Sequence, residues 1–158
     1  MIRKATIMDF DAIKKLEMQV ANLHLIGRPD IFKNPLEWSI NKDNFEKTIN
    51  HDYIIVFVYE SDGKIIGHCK LDIIEPDEED ESFTTHNVCT AFIESICVDA
   101  RYQNTGIGKK LFNHAKMCAK ERGAVRLELC IWALNSNVKG FYENLGMSTQ
   151  SYQMELIL

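Results

Sequence analysis

Between residues 91 and 132 the sequence reads strand, helix, strand, and this stretch limits the possible folds more than any other. Residues 91–98 (Ala-Phe-Ile-Glu-Ser-Ile-Cys-Val) are rich in β-branched and apolar side chains, as a strand in a half-buried sheet requires. Ile107, Leu111, Phe112, Ala115, Cys118 and Ala119 then recur at helical spacing to about Arg122, and Gly123 supplies the stop. Residues 125–132, apolar apart from Arg126 and Glu128, read as a second strand. Two strands joined through a helix lie parallel in one sheet, joined right-handedly. The C-terminal half is therefore a βαβ unit.

The N-terminal half follows other rules. Residues 1–6 read as a short strand. A helical pattern opens at Asp9 and places Ile13, Leu16, Val20 and Leu23 on one stripe, before Gly27-Arg28-Pro29-Asp30 breaks it. A shorter helix is expected over 41–49. Residues 53–59 form a β-branched and aromatic run, Asp62-Gly63 is a tight turn, and 64–74 is the returning strand of a hairpin. A loop is expected over about 76–90. Beyond the βαβ unit, Asn135 or Ser136 can cap a helix that presents Val138, Phe141, Tyr142 and Leu145 and ends at Gly146; residues 148–157 read as a final strand. The fold class is α/β: one mixed sheet, antiparallel in its N-terminal half, with a C-terminal βαβ unit and flanking helices. At 158 residues the chain fits one domain spanning 1–158.

Composition excludes several classes. No run approaches the roughly 18 apolar residues of a membrane span, and Met1-Ile2-Arg3-Lys4-Ala5-Thr6 lacks the apolar core of a signal peptide, so a cytoplasmic location is expected. The five cysteines, 69, 89, 97, 118 and 130, form no CxxC pair and are read as reduced thiols; neither they nor the five histidines show metal-ligand spacing. Net charge is −5, which argues against general nucleic-acid binding. Six of the negative charges lie in residues 75–81, and the rest of the chain carries only +1. That segment reads as a solvated hairpin tip, with attraction of a cationic amine as the functional alternative.

The chemistry is concentrated in Gln103-Asn104-Thr105-Gly106-Ile107-Gly108-Lys109-Lys110. This segment links a strand to a helix. Its two glycines allow a tight turn and close approach of a ligand to the backbone, and the helix start offers unpaired N–H groups at the positive end of the macrodipole. Such a site suits a pyrophosphate. Arg101, Lys109 and Lys110 add positive charge. A Walker A loop fails at Gln103 and Lys110, and the Rossmann fingerprint fails at Leu111. What remains is Q-x-x-G-x-G directly after a strand.

That pattern resembles the acetyl-CoA loop of the GCN5-related N-acetyltransferase (GNAT) superfamily, and the resemblance covers most of the chain. Residues 92–98 look like the family's fourth strand, and Gln103 to Gly108 match its [QR]-x-x-G-x-[GA] loop. Asn135 followed by Gly140-Phe141-Tyr142-Glu143-Asn144-Leu145-Gly146-Met147 is similar to its Asn…F-Y-x-x-x-G-F segment, with Met147 replacing Phe. The opening, Ile2-Arg3-Lys4-Ala5 with Asp9 and Ile13, is also typical. Residues 24–50 match no family pattern; acceptor specificity tends to reside there.

The resemblance implies acetyl-CoA as co-substrate. Its pyrophosphate would be held by Gln103, Asn104, Thr105, Gly106, Ile107, Gly108 and Lys109, and its pantetheine arm by the backbone of Ile96, Cys97 and Val98 at a bulge that splays this strand from the next. Asn135, Phe141 and Tyr142 would lie beside the cofactor arm and thioester. Glu94, a carboxylate inside an apolar strand, must face a polar cleft or be neutral. It is the expected base that takes a proton from the attacking amine, the alternative being a solvated strand position. Tyr142 is the expected acid toward the leaving thiolate, the alternative being a core aromatic. Asn135 could equally be a helix cap, and Cys97 is read as a packed thiol rather than an acyl carrier. His24 and Arg28 could line an acceptor pocket, the alternative being surface roles.

The expected activity is acetyl transfer from acetyl-CoA to a primary amine, on a small molecule or a peptide, by direct attack. Neither a metal, nor nucleic acid, nor a membrane is called for; a homodimer would be ordinary. Two alternatives stand beside it: transfer of a longer acyl group, and a non-catalytic acyl-CoA sensor or regulatory protein.

Overall fold

A computed structural model describes residues 1–34, 41–77 and 87–158. Among these residues five strands form one sheet in chain order: β1 (Ile2–Lys4), β2 (Ile54–Ser61), β3 (Lys64–Ile74), β4 (Thr90–Val98) and β5 (Arg126–Leu129). β1 to β4 pair antiparallel, and β4 pairs with β5 parallel, so the sheet is mixed as the βαβ pattern demands. Among the described residues four α-helices flank it: α1 (Phe10–Gly27), α2 (Lys42–Ile49), α3 (Ile107–Glu121) and α4 (Ser136–Glu143).

Period-two patterning in β3 decides which side each helix covers. Cys69, Leu71 and Ile73 point to one face, where they meet Leu111, Phe112, Ala115 and Ala119 of α3 and Tyr142 of α4. A smaller cluster of Ile13, Phe45, Val56 and Val58 seats α1 and α2 on the opposite side. The entry to α1 is held electrostatically. Arg3 donates from Nη1 and Nη2 to Asp9 at 2.7 and 2.9 Å and from Nε to Glu60 at 2.8 Å, joining β1, the start of the first helix and β2. In the hairpin turn both Asp62 (φ 50°) and Gly63 (φ 70°) are left-handed, the twist that a two-residue connection between strands requires.

Four expectations are corrected. α1 runs on to Gly27 rather than ending near Leu23, because no breaker precedes Gly27; Leu23 itself is exposed. β5 is shorter than its apolar run and ends at Leu129, with Val125 and Trp132 exposed. In α4, Val138 and Phe141 lie largely outside the core that Tyr142 enters. Residues 148–157 form no strand: their side chains are exposed, and no ladder joins them to β5. Of the acidic segment 75–81, residues 78–81 lie outside the described residues.

Candidate active site

The link between β4 and α3 is built as an open cradle. Asn104 (φ 61°) and Gly106 (φ 82°) both take the left-handed conformation, turning the chain sharply ahead of Ile107. Thr105 Oγ1 donates to the Tyr102 carbonyl at 2.6 Å, and Gln103 Nε2 reaches the Val98 carbonyl at 3.4 Å, tying the loop back to the end of β4. Gly106 occupies the N-cap position and has no side chain to cap with, so the amides that open α3 keep their donors. The first bond inside the helix is Lys110 N–H to the Gly106 carbonyl, 3.1 Å. A Cβ on Gly108 would sit 3.5 Å from Phe141 Cζ and 3.8 Å from Val98 Cγ2. The loop, the end of β4 and α4 therefore converge at Gly108. Two of the expected cations are engaged within the protein. Arg101 pairs with Asp99 at 2.8 Å, and Lys110 lies 5.6 Å over the Tyr59 ring.

Beside this cradle the sheet opens. β4 and β5 pair only from Thr90–Arg126 to Ile93–Leu129. On the other side, β3 skips a residue: Leu71 faces Ile93 and Lys70 faces Ser95, so Glu94 is the extra residue of a β-bulge. Beyond it, residues 95–98 have β3 on one edge and, among the described residues, no strand on the other. The Asp99 amide donates to the Ile66 carbonyl across that shared edge. Strand alternation then aims the backbone groups of Cys97 at β3 and those of Ile96 and Val98 at the open edge.

On the α1 side of the sheet, the same bulge gathers polar side chains. Glu94 is 49% exposed and ion-pairs with Lys70 Nζ. His68 has no solvent exposure, its two ring nitrogens lack hydrogen-bond partners among the described residues, and burial with the nearby Lys70 charge pushes its pKa down to about 4. Glu17 Oε1 of α1 stands 3.7 Å from His68 Nε2. With His68 neutral this contact is not an ion pair. Burial raises the Glu17 carboxyl to about 7; Lys70 opposes the shift and Glu94 adds to it. Asp72 Oδ1 and Ser95 Oγ are also buried without partners among the described residues. Unsatisfied buried polar atoms are rare in proteins and costly, and four here project from neighbouring positions of β3 and β4.

Tyr142 is 6% exposed, with its ring 5.8 Å from Phe112 and 5.0 Å from Phe141. Burial raises its hydroxyl well above the ordinary tyrosine range, and the nearby Cys69 and Cys97 add to the shift, so it stays protonated. Burial likewise pushes the Cys97 thiol up, leaving it a thiol. Asn135 occupies the N-cap position of α4, yet its side chain makes no capping bond. His24 stacks on Phe32 at 4.9 Å, near Trp132, and Arg28 is held by Asp30 and Glu155. All five cysteines are free thiols, and no group of three or more metal-ligating side chains occurs among the described residues. A separate shallow cleft of about 220 Å³, lined by Lys4, His51, Asp52 and Arg122, sits at the far end of α3 from the cradle.

Residues 18–147 match the family model for the acetyltransferase (GNAT) family. The chain belongs to that family. Among curated relatives, an uncharacterized N-acetyltransferase from Lactobacillus delbrueckii subsp. lactis is 29% identical over 120 residues, which cover 76% of this chain and 66% of that protein's length. Among solved structures, a mutant of the BH1408 protein from Bacillus halodurans superposes with a TM-score of 0.92 at 28% identity, covering 100% of this chain and 99% of that one. Aminoglycoside N-acetyltransferase AAC(6')-Iy in complex with CoA shares the fold, with a TM-score of 0.71 at 15% identity over 100% of this chain and 98% of that one.

For this GNAT chain, sequence reading located the loop, β4 and α4 but missed Glu17, His68 and Lys70. A glutamate on a helix carries no sign of burial, and a histidine inside a strand reads as an ordinary core residue. The one available signal was that Glu17 follows Leu16 on the buried stripe, and His68 and Lys70 alternate with Cys69 and Leu71.

Proposed function

We infer that this chain transfers an acetyl group from acetyl-CoA to a primary amine by direct attack. The observation carrying this reading is the parting of β4 from β5 at Ile93, directly beside the uncapped start of α3. A pantetheine arm needs an open strand edge, and a pyrophosphate needs unpaired amides; here one follows the other along a few residues of chain. The cradle has room: no atom lies within 4 Å of a Cβ built on Gly106. In this reading residues 103–109 hold the pyrophosphate, and Ile96, Cys97 and Val98 line the arm, with the open-edge amides of Ile96 and Val98 as its hydrogen-bond partners. The bound thioester supplies the acyl group. One open-edge amide beside Cys97 polarises its carbonyl, a donor whose position is set before reaction.

The acceptor enters from the α1 side, where Glu94 marks the bulge. An amine is mostly protonated at neutral pH and must lose a proton to attack. Glu94 is the proposed base, and Glu17 behind it, with a pKa near 7, is poised to share that proton. Tyr142, buried and protonated, gives a proton to the departing thiolate. Asn135 and Phe141 flank the arm from α4. The test is direct: titrate coenzyme A, then follow free thiol release from acetyl-CoA over a broad panel of amines. Binding with turnover of at least one amine class supports the reading. Binding without turnover over the whole panel would turn it into an acyl-CoA sensor, and no binding would end it.

A further inference from the structure

The α1 face of the sheet gathers more carboxylates than it has cations to answer them. Residues directly opposite in an antiparallel ladder project to one face, so the pairs His68–Cys97, Lys70–Ser95 and Asp72–Phe92 set these side chains toward α1. Glu17 of α1 reaches this row at His68, and Glu94 joins it from the bulge beside Lys70. Three carboxylates on three elements thus share one lysine of the row, and that lysine is taken by Glu94. Burial raises the Asp72 carboxyl; Lys70 opposes the rise, contact with Glu94 adds to it, and the exposed His51 opposes it.

Acidic side chains alone make no site, but the buried polar atoms among them point to a guest. His68 is fully buried, and its Nε2 faces Glu17 Oε1 across 3.7 Å, too far for a hydrogen bond. Neither ring nitrogen has a partner among the described residues, and Asp72 Oδ1 and Ser95 Oγ are in the same state. Buried donors and acceptors left unmade are costly, and a bound molecule with its own polar groups offsets that cost. The row is also long enough for two such groups. From Lys70 to Asp72 is two residues, about 7 Å along a strand.

We propose that the acceptor is a diamine: one amine is acetylated beside Glu94 and Glu17 while the other, still protonated, is held by Asp72. This rests on the acetyl-transfer reading above and names its acceptor. Phe92, directly across from Asp72, adds an aromatic ring, which favours an ammonium over an anion. The spacing along the row, about 7 Å, suits two nitrogens separated by roughly three to five methylenes. An α-amino acid fits poorly, because its carboxylate needs a cation, yet Lys70 is engaged by Glu94 and Arg28 by Asp30 and Glu155. The reacting ammonium loses one proton to the base. As its nitrogen bonds the acetyl carbon the C–S bond breaks, a second proton passes to the sulfur, and the distal ammonium is unchanged.

Thiol release from acetyl-CoA is compared for three acceptors of equal chain length: diaminobutane and aminobutyrate, each with its polar groups at the two ends, and butylamine. The expected kcat/KM is highest for the diamine, about tenfold or more above butylamine, and lowest for aminobutyrate. Asp72→Asn is expected to raise the KM of diaminobutane about tenfold with kcat little changed, and to leave butylamine as it was, which also reports that the variant folds. Calorimetry of diaminobutane on the coenzyme A complex gives a reading free of turnover, and that affinity falls in Asp72→Asn. Butylamine or aminobutyrate used as well as the diamine, or a diamine KM unmoved in Asp72→Asn, overturns the diamine acceptor and leaves acetyl transfer standing. An equal rise of KM for both amines makes Asp72 a packing residue and overturns it too. Diamine binding without turnover of any amine ends both the transfer reading and the acceptor role.

Discussion

Burial keeps Tyr142 protonated at neutral pH, so its hydroxyl is always available as a donor to the departing sulfur. The same shift makes it a weaker acid than a thiol, whose ordinary pKa is about 8.5, so its help comes as a hydrogen bond and a proton delivered in concert with C–S cleavage rather than as a downhill transfer to a free thiolate. Tyr142→Phe is expected to lower kcat about 10- to 100-fold while changing the dissociation constant of coenzyme A by less than about threefold. Equal loss of both would make the residue a packing element. Glu17 and Glu94 divide differently. With the Glu17 carboxyl at about 7, kcat/KM should rise with pH through that region as it loses its proton. Glu17→Gln should remove that limb of the profile, whereas Glu94→Gln should lower the plateau and keep the limb. A profile unchanged in Glu17→Gln would remove Glu17 from the reaction. Glu94 was legible in the sequence because a charge inside an apolar strand is conspicuous. Glu17 was not, because its pKa comes from what α1 is pressed against.

Among elements, the start of α3 and its seat on β3 set the geometry of the cradle. A Cβ on Gly67 would meet the Cys97 carbonyl oxygen at 3.0 Å, Leu111 Cδ1 at 3.1 Å and Ile107 Cγ2 at 3.3 Å. Gly67→Val therefore has to lift the first turns of α3 off the sheet. The expected loss of stability is about 1–3 kcal/mol, read from thermal or urea unfolding. Coenzyme A affinity should fall with it. At Gly106 space is not the constraint; φ is. Gly106→Val should cost about 1–3 kcal/mol of backbone strain and weaken coenzyme A at least tenfold, about 1.4 kcal/mol, by calorimetry. Undiminished affinity would show that the loop is not the anion site. Helix and strand identities followed from periodicity here, and β3 was read to the residue. The ends of β5 and α1 were not, because an apolar run continues past the point where a neighbouring strand stops pairing.

Across the whole molecule, the Glu17–His68 pair leaves its mark on stability. Glu17 has a folded pKa of about 7 against 4.5 unfolded, so it binds an extra proton when folded, and its contribution is lost as pH rises through that window. His68, at about 4 folded against 6.5 unfolded, does the reverse: stability is lost as pH falls through its window. Between pH 4.5 and 6.5 the two nearly cancel, since the pair holds about one proton in either state. Stability contributed by this pair should be flat there. In Glu17→Gln the histidine acts alone, and unfolding free energy should climb with pH by up to about 1.4 kcal/mol per unit. Denaturant melts at several pH values would show it; a slope unchanged from the parent would mean that these groups titrate as they do unfolded. No helix among the described residues is long and apolar enough to cross a membrane. The order of elements, the mixed sheet, the Q-x-x-G-x-G loop and the Phe141-Tyr142 pair are all written locally, in hydrophobic period, turn residues and spacing, and the sequence alone determined them. Which residues surround the reacting atoms, and whether the last strand pairs, depended on tertiary structure. Burial, desolvation and edge pairing belong to surfaces that meet only once distant segments have packed, and no local pattern records the partner.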